Sequence, residues 1–146
     1  MSVVIVDSSG LIAEIDRGSE LHEAARSLLE ELRADSSAHL LVSPFVLAEV
    51  DYLVSSRLRR PDVALAVLRD VARGAYRLEP FGPEDLDRAT NIMERYADLD
   101  VGLADAANVV LAERYSTLDL LTLDERHFGV LRGPGDRPFH LLPADR

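Results

Sequence analysis

An unbroken apolar run opens the chain. Residues 3–6 read Val-Val-Ile-Val, four consecutive β-branched residues, and Asp7, two serines and Gly10 follow them. A short apolar run without alternating polar positions is typical of a strand buried on both faces, as in the middle of a parallel sheet. The run therefore predicts a central strand with Asp7 just beyond its carboxyl end. This is the edge at which open α/β sheets bind ligands.

Helical periodicities alternate with short apolar runs along the rest of the chain. Helices are predicted at residues 8–15, 20–34, 44–57, 61–73, 83–96 and 101–112, and further strands at 40–42, 76–79, 118–123 and 139–142. This alternation predicts a three-layer α/β/α fold with a mainly parallel central sheet of about five strands. The length of 146 residues is typical of one domain, residues 1–146. Residues 132–136, Arg-Gly-Pro-Gly-Asp, are expected to form an exposed loop.

The helix that begins at Pro44 carries a carboxylate on its apolar side. Ser43 is its expected cap, with proline at the first helical position. At 100° per residue, Phe45 and Leu53 lie about 40° to either side of Glu49. Glu49 is therefore expected to be buried, where it needs an arginine or a metal ion as partner. Asp51 points the other way and is expected to be exposed.

Two further acids lie at the ends of predicted elements. Asp105 is in the first turns of a helix that is apolar almost all round, and Asp124 follows the fourth predicted strand. If the first and fourth strands are neighbours, Asp7 and Asp124 face each other across the edge of the sheet. When Asp7 or Asp124 is considered alone, a role as a helix cap explains it as well as a role in a functional site does. Ser8 or Ser9 is also a candidate cap of the first helix.

The composition narrows the chemistry. The chain has no cysteine, so it has no thiolate nucleophile and no sulfur-bound metal, and all 16 basic residues are arginine, which excludes a lysine base. No apolar run approaches the roughly 18 residues of a membrane span, and no signal peptide is recognised, so a cytoplasmic protein is expected. A net charge of −10 argues against non-specific binding of nucleic acid. Acids gathered around a divalent cation would weaken that objection.

The four acids matter most as a set. Converging carboxylates repel one another and raise one another's pKa values, and a divalent cation compensates their charge. Oxygen ligands favour magnesium or manganese. Such ions polarise a phosphodiester and lower the pKa of water. The pattern therefore predicts a hard-cation site formed by Asp7, Glu49, Asp105 and Asp124, suited to cleaving a phosphodiester bond.

Four motifs resemble those of a known family. They are Val-Ile-Val-Asp7-Ser-Ser, Leu-Ala-Glu49-Val, Leu-Ala-Asp105-Ala and Leu-Thr-Leu-Asp124-Glu-Arg-His127-Phe128. They resemble the acidic motifs of the PIN domain, and their order and spacing resemble the VapC-type toxins of prokaryotic toxin–antitoxin pairs, over residues 3–142. The resemblance implies a PIN-like fold and a magnesium-dependent endoribonuclease in which manganese can substitute. It makes Asp7 and Asp105 the principal metal ligands, with Glu49 and Asp124 completing the site.

The same resemblance implies the partners of the protein. It implies a homodimer, an antitoxin protein that blocks the site, and a structured RNA substrate such as tRNA or rRNA. A housekeeping RNA-processing nuclease and a non-catalytic PIN-fold binding module remain as alternatives. A receiver domain is disfavoured because lysine is absent, and a haloacid-dehalogenase-type phosphatase because position 9 is serine.

Some residues near these motifs have two explanations each. One cluster of arginines either binds phosphates or complements a helix dipole, namely Arg57, Arg59 and Arg60. Asp98 and Asp100 either add an outer metal ligand or solvate a loop. His127 either acts near the site or holds its loop.

Overall fold

The computed structural model describes residues 2–146. Its strands are β1 (Ser2–Val6), β2 (Ala38–Val42), β3 (Arg77–Leu78), β4 (Asp119–Leu121), β5 (Arg132–Gly133), β6 (Arg137–Pro138) and β7 (His140–Leu142). Five of them form one sheet in the order β3-β2-β1-β4-β7, and every neighbouring pair is parallel. The prediction that the opening apolar run is the central strand is therefore confirmed.

Helices cover both faces of the sheet. They are α1 (Ser8–Ile15), α2 (His22–Ala34), α3 (Pro44–Tyr52), α4 (Pro61–Ala72), α5 (Pro83–Arg95), α6 (Leu103–Tyr115) and α7 (Glu125–Phe128). Side chains alternate along β1, so Val3 and Ile5 pack in the core under α5 and α6, while Val4 and Val6 pack in the core under α1 to α4. The predicted three-layer α/β/α architecture is confirmed. Within residues 2–146, no helix has the length and apolar character that crossing a bilayer requires.

The helix that carries Glu49 runs as far as the sequence predicts, but its last turn is wider. Ser43 caps α3 by accepting a hydrogen bond from the backbone N–H of Val46 at 3.1 Å. After Tyr52 the helix continues as a π-helical turn, Leu53–Arg57, in which the N–H of Leu58 donates to the carbonyl of Leu53 at 3.1 Å. Wider turns of this kind often occur at functional sites.

One segment differs from its prediction. Of residues 132–136, expected to be an exposed loop, Gly135 and Asp136 are exposed as predicted, but Arg132 and Gly133 form β5, which pairs with β6 in an antiparallel hairpin. Gly133 is buried there, and a Cβ at this position would lie 2.7 Å from Leu118 Cδ2 and 3.0 Å from Phe139 Cε1. This close packing against two distant side chains fixes the segment, which its Gly-Pro-Gly composition alone does not indicate.

Candidate active site

The structure brings all four predicted acids to one cleft. Asp7 and Asp124 follow β1 and β4, which are adjacent, while Glu49 comes from α3 and Asp105 from the first turn of α6. All four line a cleft of about 330 Å³. The cleft therefore lies at the carboxyl edge of the sheet, where parallel strands place the residues that follow them.

Asp7 is the buried member of the set, with 4% of its surface exposed. Its Oδ1 accepts a hydrogen bond from Asn108 Nδ2 at 3.1 Å, and its Oδ2 accepts from the hydroxyls of Thr122 at 2.7 Å and Ser9 at 3.1 Å. Burial raises the pKa of Asp7 to about 6, against the lowering effect of the Thr122 hydrogen bond, and the negative charge of Asp105 raises it further.

The capping explanation fails for Asp7. This residue occupies the cap position of α1, but its side chain makes no capping hydrogen bond. The expectation that Ser8 or Ser9 caps the helix is also wrong, because both residues lie inside its first turn. Ser9 instead donates to Asp7 and accepts the backbone N–H of Leu123 at 2.9 Å. The side chains at the start of α1 therefore tie the two acidic loops together.

Asp124 caps a helix and lines the cleft as well. Its Oδ1 accepts the backbone N–H of His127 at 3.0 Å at the start of α7. Its own N–H donates to the hydroxyl of Thr122 at 3.0 Å, the same hydroxyl that donates to Asp7. Thr122 thus couples the positions of the two acids that follow adjacent strands.

Glu49 is exposed, and the expectation that it is buried is wrong. The buried stripe of this helical segment is Val46, Val50 and Val54, which is offset by one residue from Glu49. The helix presents these valines to the sheet, so Glu49 lies at the border of the apolar face. There the Ser8 hydroxyl donates to its Oε1, and the carboxylate lines the cleft without needing a buried partner.

Asp105 lies half-buried among the other charges. Burial raises its pKa, His127 lowers it, and the negative charges of Asp124 and Glu49 raise it further. Its Oδ2 also accepts a long hydrogen bond, 3.4 Å, from the N–H of Gly102 at the start of α6. Asp124 and Glu49 are therefore close enough to disfavour the ionisation of Asp105.

His127 is part of this cluster. Its Nδ1 lies 2.8 Å from Asp124 Oδ2 and 3.4 Å from Asp105 Oδ2, and its Nε2 lies 3.1 Å from the carbonyl oxygen of Leu99. One ligand atom from each of Asp105, Asp124 and His127 lies within 4.8 Å of the others. Carboxylate oxygens with one imidazole are a donor set that fits a divalent cation. His127 both contacts the acids and holds its loop, so the two explanations from the sequence coexist.

The remaining candidates lie outside the cleft. Asp98 and Asp100 are exposed, and neither belongs to its lining. Arg57 and Arg59 are exposed too, and Arg60 is held by Asp62, with both guanidinium contacts at 3.2 Å.

Sequence reasoning missed the residues that hold Asp7. Asn108 and Thr122 are both buried, and each donates to the Asp7 carboxylate. Asn108 carried a usable signal, because it is a polar residue inside a helix that is otherwise apolar on nearly every side. A buried amide needs a hydrogen-bond partner, and an acid predicted at the same edge of the sheet was available.

Comparison with known proteins agrees with this fold. Residues 4–132 match the PIN domain. Ribonuclease VapC26 of Mycobacterium tuberculosis (strain ATCC 25618 / H37Rv) is 45% identical over 141 residues, which cover 96% of this chain and 100% of that protein.

Two solved structures share the fold at low sequence identity. Mycobacterium tuberculosis VapC20, described as a Sarcin-Ricin loop cleaving toxin, has a TM-score of 0.73 at 18% identity, covering 84% of this chain and 90% of that one. VapBC2 from Rickettsia felis, solved bound to a DNA fragment from their promoter, has a TM-score of 0.66 at 15% identity, with coverages of 95% and 98%. The resemblance noted from the four motifs is confirmed: this chain belongs to the PIN-domain family and is a homologue of the VapC-type toxins.

Proposed function

We propose that this chain is a metal-dependent endoribonuclease and the toxin of a type II toxin–antitoxin pair. The observation that carries the proposal is the meeting of four carboxylates, from four separate elements, in one cleft at the carboxyl edge of the sheet. The 45% identity to a ribonuclease over nearly the whole chain supports it. A binding module would not need to gather these acids, whose mutual repulsion disfavours the metal-free fold.

The cleft suits a hard divalent cation. Asp7 and Asp105 are the proposed principal ligands, with Glu49 and Asp124 completing the site, and magnesium is the proposed ion with manganese as a substitute. The fit rests on the donors, which are carboxylates whose pKa values are raised at Asp7 and Asp105 by burial and by neighbouring acids. When bound, the ion supplies positive charge that polarises a phosphodiester and lowers the pKa of water.

Neighbouring residues of the chain hold the proposed carboxylate ligands in position. Asn108 and Thr122 fix both oxygens of Asp7, so that its carboxylate keeps one orientation. Ser8 holds Glu49, which is exposed to water at the border of the cleft. We assign to Glu49 the acceptance of a hydrogen bond, and then a proton, from the attacking water.

Substrate and partners follow from the relatives. VapC20 is described as cleaving the Sarcin-Ricin loop, and the proposed substrate of this chain is likewise a structured RNA, either tRNA or rRNA. VapBC2 is a toxin–antitoxin complex bound to promoter DNA, and the proposed protein partner here is a cognate antitoxin that blocks the cleft. The proposed assembly is a homodimer. Growth arrest on expression of this chain, relieved by the small protein encoded beside it, would support the toxin role.

Cleavage of total RNA tests the enzymatic proposal. We expect cleavage with Mg²⁺ and none with excess chelator. Glu49→Gln is expected to lower the rate by at least about 100-fold, the usual contribution of a general base. Because Glu49 is exposed, the variant should keep the melting temperature of the wild type. The control is Asp51→Asn, which removes an exposed acid two residues along the same helix. A fully active Glu49→Gln would remove this residue from the mechanism, and cleavage in chelator would contradict the metal requirement.

A further inference from the structure

The imidazole of His127 is held between three hydrogen-bond acceptors. Its Nε2 lies 3.1 Å from the carbonyl oxygen of Leu99, a group that accepts hydrogen bonds and cannot donate them. Nε2 must therefore carry a hydrogen. The Asp124 carboxylate, 2.8 Å from Nδ1, likewise accepts and does not donate, so in the metal-free chain Nδ1 carries a hydrogen as well.

The Nδ1 nitrogen faces two carboxylates. Nδ1 lies 2.8 Å from Asp124 Oδ2 and 3.4 Å from Asp105 Oδ2. Two ligands bound to one small divalent cation lie about 3.0–3.4 Å apart, as bond lengths near 2.1 Å require. The observed separations, 2.8 and 3.4 Å, lie near that range, so the three atoms are spaced closely enough for a divalent cation to take the place of the Nδ1 hydrogen.

We propose that a divalent cation displaces the Nδ1 hydrogen, which leaves as a proton to solvent, so that His127 is a metal ligand through Nδ1 and forms a mixed nitrogen–oxygen site with Asp105 and Asp124, the two acids of the group that line the cleft. This inference rests on the proposed metal dependence and names a further ligand for it. A ligating histidine normally donates its other N–H to a carboxylate or a backbone carbonyl, as Nε2 does here to Leu99. Imidazole favours later first-row ions such as Ni²⁺, whereas carboxylates suffice for Mg²⁺. His127 therefore makes the site more selective for such ions than carboxylates alone would.

The chain provides a matched control in His140. Its Nδ1 lies 3.0 Å from Asp119 Oδ1 and its Nε2 lies 2.8 Å from the carbonyl oxygen of Asp145. The pattern of one carboxylate and one carbonyl is the same, but His140 is exposed and its partner Asp119 does not line the acidic cleft, whereas the partners of His127 do. A substitution here reports the effect of losing a surface imidazole.

Calorimetric titration of the full chain with Ni²⁺ and, separately, with Mg²⁺ tests the assignment without RNA. His127→Gln is expected to weaken Ni²⁺ binding at least about tenfold and Mg²⁺ binding less than about threefold. His140→Gln should change neither. His127→Asn, which places an amide oxygen near the position of Nδ1, should keep Mg²⁺ affinity and also lose Ni²⁺ affinity. Agreement between the two His127 variants guards against a folding defect in either.

Two results would overturn the assignment. If Ni²⁺ and Mg²⁺ affinities fall by the same factor in the His127 variants, the imidazole only supports the carboxylates, with a proton rather than a metal ion beside Nδ1. If the Ni²⁺ loss in His140→Gln equals that in His127→Gln, the ion binds surface histidines instead. Loss of RNA cleavage bears on the nuclease proposal, whereas the ratio of the two metal affinities bears on His127, so failure of one is distinguishable from failure of the other.

Discussion

Replacing Asp7 by asparagine should stabilise the metal-free protein. Asp7 is buried, and burial raises its pKa from 3.8 to about 6, so its charged form is disfavoured in the folded state. Each pKa unit corresponds to about 1.4 kcal/mol, which places the unfavourable contribution at neutral pH near 3 kcal/mol. Asparagine keeps the shape and removes the charge. Its amide can donate to the hydroxyl of Thr122, which can also accept, so we expect a net gain of about 1–3 kcal/mol.

The sign of the pH dependence follows from proton binding. Between pH 3.8 and about 6 the unfolded chain has released the Asp7 proton while the folded chain retains it. The unfolded state then binds fewer protons, so the free energy of unfolding falls as pH rises through this window and stays lower above it. The difference between Asp7→Asn and wild type should therefore be small below pH 3.8, grow to pH 6, and remain constant at higher pH.

Divalent metal should stabilise the wild type and not the variant. An ion that binds only the folded wild type raises its free energy of unfolding by mass action. Asp7→Asn lacks a proposed ligand and should gain little. We therefore expect the variant to melt above the wild type in chelator, and the melting temperature of the wild type alone to rise with Mg²⁺ or Mn²⁺.

The free energy of unfolding of both proteins in chelator is measured by urea unfolding at pH 4 and pH 7.5, with circular dichroism as the probe. Thermal melts with added Mg²⁺ measure how much the metal ion raises the melting temperature of each protein. The control is Asp51→Asn, which changes the net charge equally at an exposed position. The reasoning is refuted if Asp7→Asn is less stable than wild type at pH 7.5 in chelator, or if Mg²⁺ raises both melting temperatures equally.

Three further substitutions test substrate binding and packing. Arg57 makes no ion pair with any residue between 2 and 146, and it lies one turn beyond Leu53, which lines the cleft. Arg57→Ala should therefore raise KM for RNA and reduce the salt dependence of binding by about one phosphate contact. Arg60→Ala, which removes a guanidinium already held within the chain, should do neither, and equal effects in both variants would exclude a phosphate contact at Arg57. Gly10→Ala should lower the free energy of unfolding by about 1–3 kcal/mol, because the new Cβ would lie 2.8 Å from the carbonyl oxygen of Leu121. Stabilisation, as helix propensity alone would give, would contradict this packing argument.

The local sequence pattern was sufficient to predict the positions of Asp7 and Asp124, the two acids that follow strands. The β-branched run before Asp7 has no competing helical period, and parallel crossovers bring the carboxyl ends of strands to the same edge. Asp7 and Asp124 could therefore be placed opposite each other once adjacent strands were assumed. The sheet confirms that adjacency through the pairing of Val6 with Leu121.

The orientation of Glu49 could not be predicted in the same way. A helix that rotates by one residue turns its faces by 100°, and α3 is apolar enough for more than one stripe to be buried. The three valines at positions 46, 50 and 54 became the buried face because their side chains fill the core above the sheet. Only tertiary packing selects among such stripes. The hairpin at residues 132–138 has the same explanation, because contacts between Gly133 and distant side chains fix it.

The positions of the acids in the fold change what the net charge implies for RNA binding. Five of the 26 acidic residues line the cleft, namely Asp7, Asp16, Glu49, Asp105 and Asp124. Half of the net charge of −10 therefore belongs to the candidate site, where a divalent cation would offset it. The objection that an acidic protein binds RNA poorly applies to the remaining surface only. There, we expect Arg57, which forms no ion pair within residues 2–146, to supply the local positive charge that a phosphate backbone needs.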